Sequence, residues 1–221
     1  MKRFYVFIIA FCINHYSFSQ GSITLEDKPF NITVTRDTSL ENQLRLLPEY
    51  TSLSHEEKEV VYWVNIVRTQ PREFIKEIVH PFLEQFPEAK SSYSQSLIKE
   101  LNHQTPLPVL LPSPRLHSIA ETHAKDLGQN QMSISHQSSL GESFQERMNR
   151  FGYFECVSEN IYEGKENGLF SVLFLLIDAG VKSLGHRKNI LSPEVKYIGV
   201  SFHPIRGKER FYYLVQNFSC D

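Results

Sequence analysis

Apolar residues recur at helical spacing through most of this chain, and segments of strand composition come only late, after residue 156. That order constrains the fold more than anything else in the sequence. Ser54-His55-Glu56-Glu57 is a capping box, in which Ser54 and Glu57 satisfy orphan amides reciprocally. Val60, Trp63, Val64 and Val67 follow at helical spacing and give one apolar face. Pro71 forces a break or restart, because proline fits only a first helical turn; Phe74, Ile75, Ile78 and Val79 form the next amphipathic piece. The serine-rich stretch 91–96 reads as a surface loop, and the prolines at 106, 108, 112 and 114 as an extended connector. Ser113 and Pro114 then open a helix carrying Leu116, Ile119, Ala120, His123 and Leu127 on one stripe, ended by Gly128. Residues 143–151 predict a shorter helix and 169–177 an apolar one. Residues 157–162, 197–203 and 211–218 have strand composition, the last two joined by a turn containing Gly207. Helices before, between and around a few late strands make this an α+β domain.

The start of the chain has a different character. Lys2-Arg3, an apolar run over 4–13 and Ser17-Phe18-Ser19-Gln20 describe a secretory signal peptide over 1–19. The run is too short to span a membrane, which takes about 20 residues, and bulky Phe11 before Cys12 argues against lipidation. Cleavage after Ser19 leaves 202 residues, enough for one domain with a full core. Losing Lys2 and Arg3 takes the formal charge from −2 to −4. A weakly acidic chain without a Lys/Arg block gives no reason to expect nucleic-acid binding. Residues 20–50 are polar, show little periodicity and read as an arm or linker; 51–221 read as the domain. Its two cysteines, Cys156 and Cys220, can form one bridge in an oxidising compartment, though spacing alone does not pair them.

Several chemistries are missing. His55-Glu56-Glu57-Lys58-Glu59 begins like a zinc-protease helix but lacks the second histidine. There is no nucleophile elbow, zinc-knuckle cysteine pair or phosphate-cradling glycine loop. What remains are polar segments set between apolar runs. His136, after Ile134-Ser135, is a loop histidine suited either to solvent or to a ligand. Glu159, in an apolar strand segment, must be paired or face a cleft. Asp178 closes the apolar helix, as a solvated end or as a site acid. His186 follows Gly185, which permits a tight turn aiming the imidazole; Arg187 beside it is paired to an acid or exposed. His123 lies on an apolar stripe and reads as a core histidine bonded to a carbonyl. Asn65 and Arg68 read as a structural amide and a surface charge.

In their order and context, Ile134-Ser135-His136, Ser158-Glu159-Asn160-Ile161 and Gly185-His186-Arg187-Lys188-Asn189-Ile190-Leu191 resemble the signature of the CAP (SCP-like) superfamily of secreted proteins. Trp63-Val64-Asn65-Ile66-Val67-Arg68, His123-Ala124-Lys125-Asp126, Ile198-Gly199-Val200 and Gln216-Asn217-Phe218 extend the resemblance from Ser54 to Phe218. The Gly-His-Arg-x-Asn-Ile-Leu form is similar to the prokaryotic, bacterial branch. The resemblance implies a three-layer α-β-α sandwich with a small central, mostly antiparallel sheet. It implies a cleft holding His136, Glu159, Asp178 and His186, with aspartate at a position where many members carry glutamate. It also implies secretion or a periplasmic location. Two imidazoles in such a cleft suit zinc, weakly bound, with His136 and His186 as the metal ligands. The leading expectation is a secreted module binding a divalent metal and an extracellular or envelope ligand, lipid or glycan among the candidates. The rivals are a metal-dependent hydrolase of peptide or glycan, with Glu159 as general base, and a lipid- or sterol-binding carrier.

Overall fold

The structure, a computed structural model, describes residues 23, 25, 26, 28–30 and 32–221. The signal-peptide segment 1–19 lies outside them. In chain order the main helices are α1 (Thr38–Arg45), α2 (His55–Thr69), α3 (Ser92–His103), α4 (Pro114–Gln129), α5 (Phe144–Asn149), α6 (Gly168–Ile177) and α7 (Gly185–Ile190). The strands are β1 (Leu111–Pro112), β2 (Val157–Gly164), β3 (Tyr197–Pro204) and β4 (Tyr212–Ser219). Short helical pieces join α2 to α3, starting at Pro71.

The sheet runs β1-β3-β4-β2, with β3, β4 and β2 antiparallel and only the two-residue β1 parallel. Both faces are covered. Alternate residues of β4 go to opposite sides: Tyr213 and Val215 pack with Ala120, Ala124 and Leu127 of α4, while Leu214 and Phe218 join the core of α2 and α6. Three layers follow, α4 on one face and α2 with α6 on the other. Gly199 of β3 makes the first contact close, since a Cβ there would overlap the backbone at Leu116 and His117.

The α2 capping box forms as expected, and its acids reach further than one turn. Glu57 also accepts the Phe202 amide of β3 (3.2 Å), and Glu56 accepts the Gly168 amide that opens α6 (2.6 Å). These acids therefore fix three elements relative to one another.

Three expectations need correction. Residues 91–96 are not a loop: Ser91 and Ser94 form a reciprocal cap, and α3 runs on from there with Leu97 and Leu101 buried. Arg68 is not a surface charge but fully buried, donating to the carbonyls of Pro108 (3.1 Å), Ile190 (2.8 Å) and Ser192 (2.8 Å). Asn65 does bond as a structural amide, with both Leu110 backbone groups. Finally, the described part of 20–50 is packed onto the domain. Asp37 caps α1, Leu40 and Leu44 are buried, and Arg36 pairs with Glu59 at 2.9 Å while lying over Tyr62. The apolar positions there are i and i+4 on one short helix, a pattern too brief to stand out in sequence.

Candidate functional site: two carboxylate-held imidazoles

His136 sits on the loop after α4, and three separate groups hold that loop. His123 Nε2 bonds the Ser135 carbonyl (2.8 Å), Arg147 Nη1 donates to the His136 carbonyl (3.3 Å), and Asp126 accepts from the Ser139 amide (2.7 Å) and hydroxyl (2.5 Å). Tyr213 adds a hydrogen bond to the Met132 carbonyl. The histidine itself is half exposed, its Nδ1 2.9 Å from Glu159 Oε1. Glu159 is buried on β2, and Arg147 Nη2 donates to both of its oxygens at 2.8 Å. Asn217, on the neighbouring strand, is placed to donate to Oε2 at 3.1 Å.

His186 is built differently. The apolar helix α6 ends at Asp178, whose backbone is left-handed (φ 57°), a conformation aspartate tolerates because its short side chain bonds locally. The turn that follows also uses left-handed Gly180 and Leu184; Gly185, expected to supply the turn, is instead the first helical residue of α7. Asp178 Oδ1 then lies 2.8 Å from His186 Nδ1, while Oδ2 accepts the amides of His186 (3.0 Å) and Arg187 (3.3 Å). Arg187 is buried rather than exposed, bonded to the carbonyls of Tyr93, Leu176 and Ile177 and paired with Glu100 at 3.1 Å.

Both carboxylates can only accept, so a neutral imidazole at either position carries its proton on Nδ1 and its lone pair on Nε2. Among the described residues neither Nε2 has a protein partner. The two pairs are joined by side-chain amides. Asn160, next to Glu159, donates to the His186 carbonyl (3.1 Å), and Asn189 donates to Asn160 Oδ1 (2.8 Å) and the Glu159 carbonyl (3.3 Å).

This geometry limits the chemistry. Every oxygen of Glu159 and Asp178 already accepts at least one hydrogen bond. Among the described residues no group of three or more His, Cys, Asp or Glu is placed to hold an ion. A metal held by these imidazoles would therefore sit in an open site completed by water or ligand, not in a closed cage. Glu159 could act as a general base only by giving up a bond to Arg147 or His136, because a base needs a lone pair within reach of the proton it takes.

His123, expected as a core residue, is one. Burial holds its pKa below the usual imidazole range, against the pull of Glu159 4.0 Å away. Arg147 is the functional residue sequence reading missed. It follows Phe144 by three and precedes Met148 on a short helix, so it falls on the apolar face, where a charge demands a buried counter-ion. Cys156 and Cys220 form a disulfide, with Cα atoms 5.4 Å apart, that ties the start of β2 to the end of β4.

The chain is similar to an extracellular, SCP-domain-containing protein of Bacillus anthracis (26% identity over 58% of this chain and 39% of that one, TM-score 0.42). It is also similar to an outer surface protein of Borrelia burgdorferi (23% identity, 57% and 87%, TM-score 0.42) and to NaASP2, crystallised with Zn2+ (12% identity, 76% and 81%, TM-score 0.42). It spans about two-fifths of the Bacillus protein's length. No curated protein matches it. Residues 55–218, most of the chain, match the cysteine-rich secretory protein family, and the chain belongs to that family, the CAP superfamily.

Proposed function

We propose that this is an exported binding module in which His136 and His186 present Nε2 lone pairs to a divalent metal, zinc being the best chemical fit, and through it to an extracellular or envelope ligand. The observation that carries the reading is the paired orientation: two imidazoles, each with Nδ1 held by a buried carboxylate. A carboxylate behind a histidine fixes its tautomer and raises its basicity, the usual support for a metal-ligating imidazole. When bound, such a metal supplies a Lewis-acidic centre for a ligand oxygen or nitrogen. The protein's own part is to orient two nitrogens through the acids behind them. The hydrolase alternative would have to draw its base from the imidazoles, since both Glu159 oxygens already accept hydrogen bonds. Export rests on the expected leader and the family. No helix among the described residues is long and apolar enough to cross a membrane.

Calorimetric titration with zinc tests the proposal. Wild type should bind saturably, and His136→Ala and His186→Ala should each abolish uptake with little loss of stability. Acid should weaken binding, because a protonated imidazole has no lone pair to give. Zinc bound by the double His-to-Ala variant as by wild type would refute the assignment.

A further inference from the structure

β2 is an outermost strand of the sheet, so one of its edges pairs with β4 and the other faces away from it. The Cys220 amide donates to the Cys156 carbonyl (3.4 Å), in register with the β2–β4 ladder. In an antiparallel pair such contacts recur at every second residue. Ser158, Asn160 and Tyr162 therefore turn their main-chain groups toward β4, while Glu159, Ile161 and Glu163 turn theirs outward. Glu159 bears this out, because its carbonyl accepts from the Asn189 side chain of α7 (3.3 Å). Among the described residues, the amides and carbonyls of Ile161 and Glu163 have no hydrogen-bond partner.

This bare edge borders a cavity of about 750 Å3, within the range of ligand sites. Ile161, Tyr162, Glu163 and Gly164 line it in succession. Asn160, which donates to the His186 carbonyl, puts His186 at one end; Gly164, in register with Tyr212, puts Phe211 at the other. The two sides of this groove are apolar. Ile161 packs near Ile134, and Tyr162 stacks on Phe174 of α6 at 5.8 Å. A strand laid beside β2 alternates its side chains between these two sides. A cavity of this size holds a few residues of extended chain, but not the edge of a second folded copy. Main-chain polar groups need partners once water is displaced, and a purely hydrocarbon occupant would leave four of them unpaired.

We propose that the free edge of β2 is a strand-addition site, taking an extended peptide segment with apolar side chains at alternate positions. Main-chain hydrogen bonds to Ile161 and Glu163 hold the segment, and the Ile134 and Phe174 sides select its side chains. No imidazole nitrogen enters these bonds, so the site stands apart from the metal reading.

The test uses the full exported chain, metal-free, and a fluorescein-tagged hexapeptide of alternating valine and threonine, capped at both ends. Wild type should bind it saturably, one peptide per chain. Its counterpart with every amide N-methylated should bind at least tenfold more weakly. Hydrogen exchange at the Ile161 and Glu163 amides should slow at least tenfold with peptide bound, while Tyr162, already bonded to β4, should not change. Glu163→Pro removes an outward donor and no main-chain bond to β4, and Val181→Trp fills the cavity. Each should weaken binding at least tenfold in folded protein, with zinc uptake kept, which separates failure here from failure of the metal site. No saturable binding by wild type, equal binding of the N-methylated peptide, or wild-type affinity in both folded variants would overturn the proposal. Saturable binding with unchanged exchange at Ile161 and Glu163 would put the peptide elsewhere and overturn it equally.

Discussion

The two histidines of the site reach the same state by different routes. His136 and Glu159 are 23 residues apart, on a loop and a strand, and their meeting needs Arg147 from a third element. His186 and Asp178 are eight residues apart, joined by one turn, and the acid is satisfied by backbone amides at the start of α7. One pair is a product of tertiary packing with a buried cation at its centre; the other is a local motif that needs no cation. The difference teaches that equal roles at a site do not imply equal dependence on the fold. Stability should hang on the His136 side, and site chemistry on both.

The largest expected effect follows from removing that cation. Arg147→Met leaves Glu159 buried without its cation, and removing one partner of a buried ion pair typically costs about 3–5 kcal/mol. The double change Arg147→Met with Glu159→Gln should recover much of the loss, as read by denaturant titration. An Arg147→Met variant as stable as wild type would erase the contrast. Breaking the Cys156–Cys220 bridge comes next. It closes a loop of 64 residues and anchors β2 just before Glu159; loop-closure models give about 2–4 kcal/mol. Reduction should therefore loosen the Glu159 side first, visible as faster amide exchange in β2 than at 178–190.

The sequence carried the local half of this comparison better than the distant half. Asp178 and His186 lie in one stretch of turn and short helix, so that they come together was readable from neighbouring residues and family resemblance. Arg147 was not, because a single arginine on a six-residue helix looks like any surface charge until the face it shares with Phe144 and Met148 is noticed. Arg68 and Arg187 were hard to place for the same reason: their partners are mostly backbone carbonyls from distant segments, and carbonyls leave no mark in sequence. The elements themselves were legible where periodicity was long, as in α2, α4 and α6. It failed at 91–96, where serines that look like a loop are a helix cap, and at 38–45, where two buried leucines make too short a pattern. Removing residues before Pro48 should therefore be costly, since fully burying a leucine side chain is worth about 1.5–3 kcal/mol and Leu40 and Leu44 are both buried.

A smaller effect separates metal affinity from stability. Asp178→Asn keeps the shape of the turn but replaces the anion behind His186. Zinc affinity should fall about 10–100-fold, with less change in unfolding free energy than Arg147→Met produces. The smallest effect concerns pH. His123 has its folded pKa lowered by burial, so its neutral form is what the fold prefers. Its contribution is fully present above the unfolded value, about 6.5, and is lost as pH falls from there toward the folded value. Unfolding midpoints measured across this range should decline in acid, and His123→Gln should flatten that decline. A wild-type midpoint that rises on acidification through this window would contradict the buried, neutral histidine.

The central claim is that buried carboxylates hold both imidazoles by Nδ1 and leave Nε2 open. Nitrogen-15 NMR of histidine-labelled protein, metal-free at neutral pH, reads this directly, because protonated and bare ring nitrogens resonate far apart. The account predicts the Nδ1–H tautomer for both His136 and His186, with zinc then shifting Nε2 of each. Nε2–H tautomers at these two positions, or zinc shifts falling on other histidines, would contradict it.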